Sequence, residues 1–347
     1  MTQAPKRLGF FTRVLDRTSA AERYQLAAEQ IQYAERNGFD SAWVAQHHFH
    51  EDEGGLPSPF PFLGYVAAQT SRIRLGTGVI TLPMEDAVRV AEDAIVVDLL
   101  SGGRLEVGIG AGSTPASFEA FGITADQRHV AYQARHKTLL DAWAGRPLGH
   151  EDNRLYPAAP HLIDRVWLAS FSVFGGVQAG EAGDGLMLSR TQPRPQDRPD
   201  ARLDEIQNPI IDAYLKALPE GRAPRIAASR SLFVADDREE ALRLAEIGLG
   251  RVAQRFAGQG HRIGDGSLKD VIKALDVHVG TPDDVIETLR ADSALGRATD
   301  IVFQVHSIDP PHRLILRSIE LIAAHVAPAL GWVNQHADSK PRLTSVG

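Results

Sequence analysis

Three histidines and three acids crowd into SAWVAQHHFHEDEGG, residues 41–55. His47, His48 and His50 follow directly on an apolar run, as polar side chains do where a buried strand opens into a loop. Imidazole in such a place supports two chemistries, metal ligation and proton transfer. His48-Phe49-His50 has the His-x-His spacing by which alternate residues of one strand can face one metal ion. A site of that kind needs further nitrogen or carboxylate ligands from other strand ends. ASFS (169–172) and LSRT (188–191) supply none, and His306 with Asp309 is too small a set. A catalytic metal is therefore not expected. The residues alone leave His47 open as an acid–base group or as part of a hydrogen-bonded polar cluster beneath a loop.

SFSVFGGVQAGEAG (170–183) offers a different chemistry. Ser170 and Ser172 bring hydroxyls, and Gly175 and Gly176 let backbone N–H groups approach an anion. A helix N-terminus adds unpaired donors and a favourable dipole. A plain serine-capped helix would use the same residues, so both readings stand. GIGAGS (108–113) is G-x-G-x-G and lacks the later acidic residue of a dinucleotide fingerprint. Gly110 and its neighbours better suit a flat ring lying against a strand. No G-x-S-x-G nucleophile motif occurs.

Such residues act only where strands and helices hold them. RLGFF (7–11) reads as a strand, and Ser19 with Glu22 forms a capping box opening a helix. Asn37-Gly38 closes that helix. SAWVA (41–45), RIRLGTGVI (72–80), RLEVGIG (104–110), RVWLAS (165–170), GLMLS (185–189), RIAASRSLFVA (225–235) and DIVFQV (300–305) continue the series, with helical patterns between them. This alternation implies parallel pairing and an α/β fold: a single (β/α)8 TIM barrel over residues 1–330, with an open doubly wound sheet as the alternative. RTQPRPQDRPDAR (190–202) and AGQGHRIGDGSLK (257–269) interrupt it as insertion loops, either lids or plain surface loops. Residues 331–347 read as a poorly ordered tail. In a barrel the C-terminal strand ends line the site. That rule selects Gln46-His47-His48, Gly78-Val79-Ile80-Thr81, Gly110-Ala111-Gly112-Ser113, Ser170-Phe171-Ser172, Ser189-Arg190, and Gln304 with His306.

The chain of 347 residues is 43% hydrophobic, enough for a sizeable core. A formal net charge of −7, with no basic cluster, argues against a nucleic-acid backbone or an anionic membrane as partner. The absence of cysteine excludes disulfides and thiolate metal sites. MTQAPKRLGFF has no signal-peptide apolar region, and no uncharged apolar run could span a bilayer. A cytoplasmic location is expected.

AWVAQHHF, RIRLGTGVITLP, RVAEDAIVVDLLSGGRLEVGIGAG, FEAFGI and GTPDDVIETL together resemble the bacterial luciferase-like, flavin-dependent monooxygenases, densely over 7–190 and more thinly to about residue 330. The resemblance implies a (β/α)8 barrel, a homodimer, and reduced FMN delivered by a separate flavin reductase. Oxygen would form a C4a-peroxyflavin that oxygenates a small organic substrate. His47 matches the first histidine of the family's Glu-His-His-Phe motif, an acid–base group beside the flavin, with Gln46 replacing the glutamate. Gly78-Val79 matches a dipeptide whose cis bond cups the flavin ring. Ser172 and Gly175, with Ser170 and Gly176 around them, match phosphate-binding positions, and Ser189-Arg190 matches the end of the sixth strand. Ala111 stands where luciferase has an arginine for the phosphate, so Arg190 or Arg128 would supply that charge. Relatives use the deazaflavin F420, which is the alternative to FMN. A non-catalytic flavin-binding barrel and a metal-dependent barrel hydrolase are the rival functions.

Overall fold

The computed structural model describes residues 5–112, 114–258 and 260–332. Ser113 and residues 333–347, most of the expected tail, lie outside the described residues. Ten strands form one sheet: β1 (Arg7–Thr12), β2 (Ser41–Val44), β3 (Arg74–Thr77), β4 (Ile80–Thr81), β5 (Leu105–Gly110), β6 (Val166–Ala169), β7 (Gly185–Leu188), β8 (Ile226–Val234), β9 (Val277–Gly280) and β10 (Asp300–Gln304). Every pairing is parallel. β1 bonds β2 on one side and β10 on the other, and β10 bonds β8, so the sheet closes into a barrel. The eight expected strands are all present.

Two strands were not foreseen. The expected third strand (72–80) is split: its ladder to β2 ends at Thr77 opposite Val44, and Ile80 resumes against β5. The Gly78–Val79 peptide between the two pieces is cis. β9 pairs with the outer half of β8, from Ser231 to Val234, while the inner half carries β10. Its sequence VHVG is too short for alternation to mark it.

Local chemistry sets the helix ends. Ser19 accepts the Glu22 N–H at 3.3 Å, but the Glu22 carboxylate takes the Thr18 hydroxyl instead, leaving half a capping box. Thr281 and Asp284 complete a full one before the helix Pro282–Arg290.

Period-two alternation sorts the barrel interior into levels. Trp43 and Trp167 cross edge to face, 5.5 Å between ring centroids, and pack with Phe11, Met187, Ala227 and Val302. That apolar plug fills the barrel beneath the C-terminal ends of the strands. Ala45 and His47 stand in turn two and four residues beyond Trp43. Gln304 stands two beyond Val302, and Ser189 two beyond Met187.

Candidate active site

A cavity of about 380 Å³ sits on that plug, within the usual range for small-molecule sites. Phe11, Met187, Ala227 and Val302 form its floor. His47, Gly78, Val79, Ser189 and Arg190 line it, so five expected site residues meet at one place.

The histidine stretch resolves into separate roles. β2 ends at Val44, and Phe49 adopts a left-handed φ of 67°, so His48 and His50 do not share a strand face. His48 lies edge-on to Phe121 at 4.7 Å, its Nε2 buried without a partner, while His50 is exposed. Among the described residues no three His, Cys, Asp or Glu side chains gather to hold a metal. Gln46 is a brace. Its Oε1 accepts the Thr81 N–H at 2.7 Å, and its Nε2 donates to Pro57 O at 3.1 Å and Glu85 Oε1 at 2.5 Å. A carboxylate thus lies beside this position after all, on Glu85, where burial raises its pKa.

His47 itself is held neutral. Burial, then the charges of Arg13 and Arg255 and the neighbouring His48 and Arg190, push its pKa down to about 3. An unfolded chain would protonate this histidine near its ordinary 6.5. Between those values the unfolded state binds the extra proton, so stability falls as pH drops below 6.5. At pH 5 the loss from this group is about 2 kcal/mol. Urea unfolding of wild type and His47→Asn at pH 7 and pH 5 should show the smaller acid penalty in the variant.

The Ser170–Gly176 turn lies beside the cavity, which it touches through Phe171. Ser172 caps the helix Val173–Ala182, accepting the Gly175 N–H at 3.1 Å, and Ser170 Oγ accepts the Ser172 N–H at 3.1 Å. The N–H groups of Val173 and Phe174 have no partner among the described residues. The glycines have packing reasons of their own. A Cβ on Gly175 would lie 2.0 Å from Ser170 Oγ, and one on Gly176 would lie 2.6 Å from Ile210 O in the helix Leu203–Ala217. Gly176→Ala should therefore destabilise the protein by about 1–3 kcal/mol, read as a lower urea midpoint. Unchanged stability with weaker flavin binding would instead mark Gly176 as a phosphate contact.

The two arginines expected near a phosphate are both bonded to neutral partners. Arg190 Nε donates to Gln304 Oε1 at 2.7 Å and its Nη1 to Ser231 Oγ at 3.0 Å, so its guanidinium points to β10 and β8. Arg128, half-buried, donates to Ala125 O at 3.2 Å, has an unpartnered buried Nε, and is not among the cavity lining. Gly110 lies behind the cis peptide, where a Cβ would come 3.0 Å from Val79 Cγ2. Ser189 Oγ accepts the Thr191 N–H at 3.2 Å.

The first insertion loop closes over one side. Thr191 and Pro193 line the cavity, Gln192 Nε2 donates to Phe171 O at 3.2 Å, and Arg194 pairs with Asp276. Arg262 of the second loop pairs with Asp200 of the first at 3.0 Å. Arg13, Glu53 and Arg255 also line the cavity and were missed from sequence. Arg13 directly follows β1 and was findable by the strand-end rule. Arg255, in the last turn of the helix Arg238–Gly258, carried no signal.

A closed parallel barrel with a lined cavity at the C-terminal strand ends defines a barrel enzyme site. Residues 8–299 match the model of the luciferase-like monooxygenases, and the chain belongs to that family of flavin-dependent oxidoreductases. It is 28% identical to the 4-hydroxyprotoasukamycin monooxygenase of Streptomyces nodosus subsp. asukaensis, over 89% of this chain and 90% of that one. Among solved structures it is similar in fold to the oxygenating constituent of the 3,6-diketocamphane monooxygenase of Pseudomonas putida, in complex with FMN. The TM-score is 0.71 at 20% identity, over 94% and 98% of the two chains. It is also similar to the F420-dependent tetrahydromethanopterin reductase of Methanopyrus kandleri, with TM-score 0.65 and 18% identity over 94% and 99%.

Proposed function

We propose that the protein is an FMN-dependent monooxygenase that uses O2 to oxygenate a small organic substrate, with reduced flavin supplied by a separate reductase. The observation that carries this reading is the cavity on the apolar plug, lined together by His47, Gly78 and Val79, in a chain of this family. The residues fit the cofactor: the Gly78–Val79 backbone in the cavity wall, backed by Gly110, leaves room for a flat ring, and open N–H groups stand at the nearby helix start. Reduced FMN, when bound, would supply two electrons and the ring carbon at which O2 is activated, the peroxide chemistry expected from the sequence.

In this reading Gly78 and Val79 orient the ring, and neutral His47 takes up or returns a proton at its edge. Ser170, Ser172, Gly175 and Gly176 hold the phosphate through hydroxyls and helix N–H groups, with Arg128, whose buried Nε lacks a partner, as the candidate cation. Ser189 and Arg190 belong to the inner wall. The insertion loops act as lids that keep water from the flavin. No helix among the described residues is long and apolar enough to cross a membrane. We place the enzyme in the cytoplasm as a homodimer, for which exposed Val96, Leu99 and Leu100 on the helix Ala87–Leu100 offer an apolar face.

Fluorescence titration tests the cofactor. FMN should bind saturably and F420 should not. Riboflavin should bind more weakly than FMN, by about 10- to 150-fold for the lost charge-assisted bonds. Preference for F420 would move the chemistry to hydride transfer, and FMN binding without any oxygenated product would favour a flavin-binding protein.

A further inference from the structure

Within a chain of net charge −7, the cavity wall is cationic. Its ionised lining residues are Arg13, Arg190 and Arg255 against the single carboxylate of Glu53. His47 and His48 add no charge, since burial holds both pKa values down. None of the three arginines has an ion pair among the described residues. Arg13 has a buried Nε without any hydrogen-bond partner. Arg255 rests its guanidinium 5.5 Å from the Phe256 ring centroid, also in the lining. Arg190 is held by neutral partners only, Gln304 and Ser231, with Nη2 free of protein bonds among the described residues.

Glu53 is the one carboxylate that acts on Arg13, and Arg190 is buried with none. Guanidiniums taken out of water with too little counter-charge are costly, and a protein retains them where a ligand completes the set. The charges also act on each other: Arg13 falls to about 10, by burial first and then by Arg255, and Arg190 is lowered by burial first and then by Arg13 and Arg255. A flat fork of donors suits a planar, two-oxygen anion. The cavity floor is apolar, so the ligand that fits has an anionic end toward the arginines and an apolar body over Phe11, Met187 and Val302.

We propose that the oxygenated substrate carries a carboxylate or another singly charged oxyanion, bound by Arg13, Arg190 and Arg255 beside His47. This rests on the monooxygenase reading above and extends it to the substrate class. It separates two anion sites, the flavin phosphate at the Ser170–Gly176 turn and the substrate at the arginines.

The test is calorimetric titration of the FMN-loaded protein with benzoate, benzenesulfonate and the neutral isostere benzamide. Benzoate, benzenesulfonate or both should bind at least about tenfold more tightly than benzamide, the lower bound for one charge-assisted bond. Arg13→Gln and Arg255→Gln should each remove about tenfold of that preference while FMN affinity changes by less than about threefold. Arg255 is partly exposed and not hydrogen-bonded, so its variant keeps the test open should Arg13→Gln fail to fold. Equal binding of acid and amide, or no binding of either anion, overturns the proposal. So does loss of FMN affinity in the variants with riboflavin affinity unchanged, because the arginines would then serve the flavin phosphate. Failure of wild type to bind FMN would instead count against the flavin reading. The anion preference, measured on the same protein without flavin, would still decide the arginine site.

Discussion

His47→Ala is expected to lower coupled oxygenation by roughly 100-fold, the scale of removing one acid–base group. FMN affinity should stay within about tenfold, or about 1.4 kcal/mol. The separation follows from where His47 stands. Its side chain lines the cavity and makes no hydrogen bond to the protein among the described residues. The His47 N–H bond to Leu56 O is backbone and survives truncation, so removing the side chain breaks no brace. Gln46 does the bracing one residue earlier. Burial and the surrounding arginines keep the imidazole neutral at working pH, which makes it an acceptor that gives a proton back readily. Product formed per reduced FMN consumed, set beside the fluorescence-derived Kd, measures both effects. Equal loss of binding and turnover would mark His47 as a structural residue.

Gly54→Ala should reproduce most of that loss without touching a polar group. A Cβ on Gly54 would lie 2.5 Å from His47 Cδ2, 2.8 Å from Cγ and 2.9 Å from Cβ. Carbon atoms pack at about 3.5–4.0 Å, so either the imidazole or the loop over it must shift by about 1 Å. A misplacement of that size can cost about 100-fold in rate. Residues that act through one another are not additive. The double variant His47→Ala/Gly54→Ala should therefore be hardly worse in turnover than His47→Ala alone. An additive double variant would show that Gly54 serves the loop and not the histidine.

The barrel was legible because its strands are apolar runs separated by helical periods, each bounded by Gly, Pro or a capping residue. VHVG escaped because four residues with a histidine among them carry no period. The break in the third strand was readable only from the resemblance, since RIRLGTGVI looks continuous by composition. Within the site, residues standing at strand ends were found: His47, Gly78, Val79, Ser189 and Arg190 all meet in one cavity. Arg190 shows the limit of that rule. Its backbone position was right, but the direction of a long side chain is set by Gln304 and Ser231, more than 40 residues away in sequence. Arg255 shows another limit, for a helix residue enters a barrel mouth only through tertiary packing. Gly175 and Gly176 suggested an anion cradle, and the structure adds a second cause in the close approach of Ser170 and Ile210.

The central claim is that the cavity on the Trp43–Trp167 plug holds reduced flavin and directs its reaction with oxygen. Stopped-flow absorbance of protein-bound reduced FMN, mixed with oxygenated buffer, tests it most directly. The account predicts reoxidation through a species spectrally distinct from both oxidised and reduced flavin, with hydrogen peroxide released more slowly than from free FMN. Reoxidation at the rate of free flavin, with no such species and immediate peroxide, would contradict it.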